Sequence, residues 1–256
     1  MQGLKRYVDI LDAISSATES GASITEVCRA TGLPKGTVHR LLEGLRENGM
    51  AIQDGDSKRW RLGPRVVFWA GRYLEGPTSL APLRRFVNKL SQETELFSYL
   101  TVLDNGELVC VDVERPESKA QFFVQLGSRV PVLSTASAKA LLAYQPEEVV
   151  RPIVELAISQ NPSTRFETVT VESYFEELAE TRRCGYAKCT EELEAGVSAL
   201  GAPILNVRDQ LVASLTVVAP TAALVERWES TLEKLCRVAE EASTMLGRAP
   251  ENRILR

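Results

Sequence analysis

Apolar residues recur at three- and four-residue intervals through the first fifty positions and then give way to alternation. Leu4, Val8, Leu11 and Ile14 predict a helix over Leu4–Ala17 with one buried face. Gly21-Ala22 interrupts it. Ser23, with Glu26 three residues on, has the pattern of a capping box opening a short helix that turns Ile24, Val27 and Cys28 inward and stops at Thr31-Gly32. Pro34 is expected as the first helical residue of the next segment, where its missing N–H costs nothing. Val38, Leu41, Leu42 and Leu45 follow as a single stripe, and Gly49 ends the helix. Ala51–Gln53 and Lys58–Leu62 flank Asp54-Gly55-Asp56-Ser57, a hairpin signal. In the second strand Arg59 and Arg61 alternate with Trp60 and Leu62, so one face is basic and the other packs. After Gly63-Pro64, Val66–Leu74 reads as a short apolar helix, and Gly76-Pro77 marks a domain boundary.

Beyond that boundary the two periods mix. Phe97–Leu103 and Glu107–Glu114 read as a hairpin around Asp104-Asn105-Gly106, with Ala120–Leu126 as a third strand. Helices are expected over Thr135–Tyr144, Pro146–Ser159, Val171–Cys184 and Thr221–Leu246, and strands over Tyr186–Thr190, Val197–Ile204 and Gln210–Val218. The fold class is α+β. A winged helix-turn-helix covers residues 1–63 and a linker helix 64–77. An α/β domain with a central, mostly antiparallel sheet of the GAF or PAS kind covers 78–250, and 251–256 form a tail.

Composition narrows the class without deciding it. With 44% hydrophobic and 25% charged residues the 256-residue chain is that of an ordinary globular protein. Met1–Ile10 carries Lys5, Arg6 and Asp9 with no apolar run after it, and no stretch is apolar over the ~18 residues of a membrane span, so a cytoplasmic location away from membranes is expected. The five cysteines are scattered and odd in number, which favours reduced thiols over a disulfide framework. Net charge is −4, unevenly divided: residues 1–75 hold 11 Lys and Arg against 9 Asp and Glu, and between Cys28 and Arg65 the balance is 8 to 4. That is a basic surface on an acidic body, the electrostatic footprint of a DNA contact.

With Val38, Leu41, Leu42 and Leu45 buried, the second helix of the helix-turn-helix offers Lys35, Gly36, Thr37, His39 and Arg40 to the major groove. Lys35 and Thr37 suit phosphates or base edges, Arg40 a bidentate guanine contact, and Arg59 and Arg61 on the wing suit phosphates or the minor groove. The competing reading of the same spacing is a helical hairpin with a solvated basic face.

These motifs resemble the IclR-type transcription regulators. The N-terminal likeness runs through Ile24-Thr25-Glu26-Val27, the run from Thr31-Gly32-Leu33-Pro34 to Arg40-Leu41-Leu42, and Trp60-Arg61-Leu62-Gly63. The C-terminal likeness includes Gly127, Val130-Pro131-Val132, the run from Thr135 to Ala143, Gly185-Tyr186-Ala187, Glu191-Glu192, Gly196, Ala202-Pro203-Ile204 and Val212–Val218 before Pro220. The resemblance implies a homodimer, or a tetramer built as a dimer of dimers. Its N-terminal domains pair on double-stranded operator DNA, often through the first and linker helices, and its C-terminal domain binds a small-molecule effector. Matched residue by residue, it implies an effector site made by Gly127, Ser134, Thr135 and Ala136 on one side and Cys189, Ala199, Thr216 and Val218 on the other. A helix N-terminus at Ser134–Ala136 independently suits an anionic group. Members that bind small hydroxy or keto acids usually carry Asp, Cys, Ser and Ser where this chain has Cys189, Ala199, Thr216 and Val218. The departure points to a partly apolar effector, an aromatic or acyl carboxylate or a close derivative.

Enzyme readings fail on inventory. Gly196-Val197-Ser198-Ala199-Leu200-Gly201 is one residue too long for a nucleophile elbow, and the single histidine, His39, lies in the helix-turn-helix. Ser134–Lys139 lacks Ser-x-x-Lys spacing, and Gly32-Leu33-Pro34-Lys35-Gly36-Thr37 lacks the order of a phosphate loop. No metal, cofactor or catalytic residue is expected. The expected function is an effector-responsive regulator, a repressor of a catabolic operon. The alternative is a ligand-binding or enzymatic domain whose N-terminal module serves only for dimerisation.

Overall fold

The structure is a computed structural model and describes residues 2–17, 20–75, 80–116, 124–161 and 168–249. The chain forms two compact units, Met1–Ala81 and Pro82–Arg256.

The first unit holds α1 (Gln2–Ser15), α2 (Ile24–Thr31), α3 (Lys35–Glu47), the hairpin β1 (Ala51–Gln53) and β2 (Trp60–Leu62), and α4 (Pro64–Glu75). Its core is Ile10, Ile14, Val27, Val38, Leu41, Leu42, Leu45 and the fully buried Trp60. The stripe predicted for α1 is corrected. Leu4 and Val8 are exposed, and Ile10 and Ile14, one turn apart, face the core. Helix α2 opens on a completed capping box, with the Ser23 N–H donating to Glu26 Oε2 at 2.7 Å and the Glu26 N–H to Ser23 Oγ at 3.3 Å. It closes on Gly32 in the left-handed region, at φ 68°. Pro34 takes the capping position itself, with ψ at 143°, so α3 begins one residue later than expected. Ahead of α2, Ala22 exchanges two backbone hydrogen bonds with Trp60, at 2.8 and 2.7 Å, which adds a third short segment to the wing. A Cβ on Gly21 would lie 2.8 Å from the Trp60 carbonyl oxygen, so only glycine permits this approach.

The second unit is built on a five-stranded antiparallel sheet in the order β4-β3-β7-β6-β5. Its strands are β3 (Phe97–Asp104), β4 (Glu107–Glu114), β5 (Ala187–Thr190), β6 (Val197–Leu205) and β7 (Leu211–Pro220). Its helices are α5 (Ala81–Thr94), α6 (Ala136–Leu142), α7 (Glu147–Gln160), α8 (Val171–Cys184), α9 (Thr221–Glu226) and α10 (Trp228–Met245). One face of the sheet carries α6, which is braced from outside by α8 and α7. The other face carries α10, and α5 is joined to α10 by the ion pairs Lys89–Glu241 and Arg237–Glu93 and to β4 by Arg84–Asp112. Three expectations need revision. Helix α5 was not predicted, the single C-terminal helix is divided at Arg227, and the expected strand over 120–126 falls on residues 120–123 outside the described residues, with 124–126 irregular. The outer edge of β4 is met by Arg129, bridged to Val109.

Helix α6 is buried on every side. At Gly201 of β6 the sheet has no side chain to hold it off, and a Cβ there would stand 2.8 Å from the Ala136 carbonyl oxygen. Lys139 is also buried, with its Nζ 2.6 Å from Glu177 Oε2 on α8 and 2.7 Å from Glu192 Oε2 after β5. Burial pulls its pKa down, and the carboxylates of Glu192 and Glu177 more than offset this, so the ammonium is held above its ordinary range. The stabilisation it supplies is therefore complete at neutral pH and is lost only as pH rises past about 10.5.

Two stability changes follow. Gly201→Ala forces the α6 backbone off the sheet and costs about 1–3 kcal/mol in urea unfolding; a wild-type midpoint would show that α6 yields freely. Lys139→Met strands two carboxylates. With Glu177 about a third exposed and partly screened by water, the loss is about 1–3 kcal/mol and stays level through neutral pH. An unfolding curve that overlays the wild type would mean that the triad carries no stability.

Candidate functional site

Helix α3 follows α2 after the tight turn Gly32-Leu33-Pro34, the geometry of a helix-turn-helix. The stripe Val38, Leu41, Leu42 and Leu45 is buried as expected, which leaves Lys35, Gly36, His39 and Arg40 exposed and Thr37 half-buried. Gly36 has open space around it, so the helix start presents bare backbone for close approach. Arg40, Lys35 and the wing's Arg61 form no ion pair within 4 Å among the described residues, and Glu43 is paired with Arg46 at 2.7 Å. Three cations outside any ion pair among the described residues, two on the exposed face of α3 and one on the wing, are suited to phosphates and base edges. Arg59 differs from the expectation. Its Nε donates to the Gly21 carbonyl at 2.8 Å and its Nη2 to Glu26 Oε2 at 2.7 Å, so its guanidinium is engaged by the protein. The hairpin tip is ordered by Asp54, which accepts from the N–H and hydroxyl of Ser57 at 2.8 and 2.7 Å. Those two bonds hold its carboxyl below the usual carboxylate range.

In the second unit, register brings the distant residues of the expected pocket into line. Cys189 of β5 pairs with Ala199 of β6, Ala199 with Val218 of β7, and Val218 with Phe97 of β3, giving one cross-strand row. The next row is Ala187, Gly201, Thr216 and Tyr99. Alternation turns both rows to the same face, under α6. A cavity of about 20 Å3 opens at the first row, lined by Tyr99, Ser134, Thr135, Cys189, Ala199 and Val218. Leu193, Glu194, Val197 and Ser198 complete its wall. Five of the eight expected residues thus meet there.

The other three stand apart. Thr216 is fully buried one row away, and Ala136 spends its carbonyl side against Gly201. Gly127 is exposed beyond the edge of β4, where its φ of 79° closes a turn whose N–H donates to the Cys110 carbonyl. Tyr99, Leu193 and Glu194 were not predicted. Tyr99 could have been found only from strand register, and the other two lie on a loop without a pattern of its own.

Local bonds tie the residues around the cavity. Thr135 caps α6, with its Oγ1 accepting from the Ala138 N–H at 3.3 Å and donating to the Pro131 carbonyl at 2.7 Å. The Cys189 thiol donates to the Ser134 carbonyl at 3.2 Å, and burial, with Glu192 nearby, pushes it up to about 11, so it stays protonated. The Tyr99 hydroxyl meets Ser137 Oγ at 3.2 Å, and burial raises it far above its ordinary range. A roomier cavity of about 640 Å3 is lined by β5 and α8, where Lys139, Glu177, Glu180, Lys188 and Glu192 alternate with the uncharged Ser173, Thr181, Cys184, Tyr186 and Thr190. Among the described residues no group of His, Cys, Asp and Glu could hold a metal ion, and no helix is long and apolar enough to cross a membrane.

Comparison with known proteins identifies both units. Residues 3–55 match the model of the IclR helix-turn-helix domain, and residues 77–244 that of the bacterial transcriptional regulator IclR C-terminal domain. The HTH-type transcriptional regulator XynR of Escherichia coli K12 is 29% identical over 219 residues, covering 85% of each chain. The transcriptional repressor IclR of the same organism is 25% identical over 228 residues, 88% of this chain and 82% of the relative. The crystal structure of an IclR homolog from Microbacterium hydrocarbonoxydans, complexed with 4-hydroxybenzoate, superposes with a TM-score of 0.76 at 24% identity, covering 95% of this chain and 98% of that one. With both domain models matched in order over most of its length, the chain belongs to the IclR family of DNA-binding transcription regulators.

Proposed function

We propose that the protein is an effector-responsive repressor that binds operator DNA through α3 and the wing and releases it, or grips it differently, when a partly apolar carboxylate occupies the cavity under α6. The observation that carries the DNA half is the exposed face of α3, with Lys35, His39 and Arg40 over a fully buried stripe and Arg61 on the following wing. In this reading Lys35, Gly36 and Thr37 approach the backbone, Arg40 and His39 read base edges and Arg61 neutralises a phosphate. The repressor role is supported by the named role of the E. coli relative.

Homodimerisation, with a dimer of dimers beyond it, fits the apolar surface that the first unit leaves exposed. Val67, Phe68 and Trp69 of α4 and Leu4, Tyr7 and Val8 of α1 are too many large apolar residues for a solitary surface. A dimer must present its two α3 helices to half-sites about one helical turn apart. Effector binding changes occupancy only by favouring one arrangement of the two heads.

The effector class rests on the lining. Tyr99, Ala199 and Val218 give an aromatic and aliphatic floor, and Ser134 and Thr135 give the polar end; this chemistry suits an aromatic or acyl body with one acid or acid-derived group, and admitting it requires the cavity of about 20 Å3 to widen. The 4-hydroxybenzoate held by the structural neighbour is of this kind.

On a duplex enriched by the wild-type chain from a randomised-sequence pool, Arg40→Ala is expected to relax discrimination at one base position at a cost of about 1–3 kcal/mol. Arg61→Ala should weaken all sequences alike and reduce the salt slope by about 1. Identical behaviour of the two variants would overturn the division of roles. In thermal-shift assays on the full chain, 4-hydroxybenzoate is expected to raise the melting temperature and alter DNA affinity, and pyruvate to do neither. Tight binding of pyruvate with no response to the aromatic acid would reverse the assignment of class.

A further inference from the structure

The alternation expected through Lys58–Leu62 puts Arg59, the residue just before β2, on the basic face of the wing, yet its guanidinium is turned to the protein. It bridges two groups at the start of α2, the Gly21 carbonyl at 2.8 Å and Glu26 Oε2 at 2.7 Å, and keeps 29% of its side-chain surface. The same carboxylate oxygen accepts the Ser23 N–H at 2.7 Å. One atom therefore closes the cap of α2 and receives the wing. Around it the two strands of contact are already close: Ala22 and Trp60 exchange both backbone hydrogen bonds, and Gly21 lies against the Trp60 carbonyl with no room for a Cβ. Since α2 packs directly on α3, the wing is fixed relative to the helix that enters the groove through this corner.

We infer that Arg59 is a positioning residue for DNA binding: through Glu26 it sets the wing that presents Arg61, and it does not itself contact phosphate. A guanidinium 2.7 Å from a carboxylate brings no net charge to the duplex, so the pair releases no counterion of its own. Glu26 stays ionised throughout any usable pH, because the Ser23 N–H, the Ser23 hydroxyl and Arg59 hold it down to about 2. Arg61, two residues on and within β2, is exposed and outside any ion pair among the described residues, and is left to make the contact that Arg59 cannot.

The test uses the full chain and the duplex enriched from a randomised pool, with affinity measured across a salt series well below each variant's unfolding temperature. Glu26→Gln keeps a side chain able to complete the cap but loses the ion pair. It is expected to weaken binding about 3–10-fold, as Arg59→Ala does, a loss of about 1 kcal/mol. The salt slope of both variants should fall toward that of Arg61→Ala. The double variant Arg59→Ala/Arg61→Ala should bind within about twofold of Arg61→Ala alone, because the two residues act through one contact. If Glu26→Gln binds as tightly as wild type or more tightly, with a steeper slope, then the freed Arg59 engages phosphate and the inference is overturned. Additive losses from Arg59→Ala and Arg61→Ala overturn it equally. Unchanged affinity and slope with only a lower melting temperature would reduce Arg59 to a structural role. Should Arg59→Ala not fold, Glu26→Gln decides alone.

Discussion

Helix α6 has no face in water, and the second unit is arranged around that fact. Seven consecutive residues, a lysine among them, are packed between the sheet and α8. A buried helix is stable only if its polar groups are satisfied locally. The cap at Thr135 meets that demand at its start and the double ion pair at Lys139 in its middle. The bare backbone of Gly201 sets how near the helix comes, and the row Cys189, Ala199 and Val218 then lies beside the start of α6. The candidate pocket is thus a by-product of how one short helix is buried.

The first unit uses the same device on a smaller scale. Trp60 fills its centre, and two places where a side chain would not fit let the wing close on it: Gly21 against the Trp60 carbonyl, and Gly63, where a Cβ would lie 2.3 Å from the Gly49 carbonyl oxygen. Glycine appears here for proximity, because backbone hydrogen bonds from Ala22 and Gly63 run across those same gaps.

What the sequence revealed depended on how local the cause was. The capping box of α2, the stripe of α3 and the hairpin at Asp104-Asn105-Gly106 are decided by neighbours within a turn, and each was legible. Helix α1 was placed but its face was not. Leu4 and Val8 have the right spacing for a core stripe, and only packing against α2 and α3 selects Ile10 and Ile14. Helix α5 carries Leu83, Phe86, Val87 and Leu90 at helical spacing and was readable in principle; its charged residues, which pair with α10 and β4, masked the stripe. The pocket was legible only in part. Resemblance supplied Ser134, Thr135, Cys189, Ala199 and Val218, but Tyr99 enters through the register of β3 on β7, a long-range pairing that leaves no local mark. The engagement of Arg59 by Glu26, 33 positions away, was hidden for the same reason.

The cavity under α6 also has a consequence for how binding to it is measured. About 20 Å3 is room for roughly one water molecule. A larger guest needs its walls to widen, and one of them, the segment with Leu193 and Glu194, follows directly on Glu192, which is paired to Lys139. The observed dissociation constant of such a guest is its intrinsic one divided by the fraction of molecules already open. A weak measured affinity is therefore a statement about the cost of widening the cavity as much as about the guest.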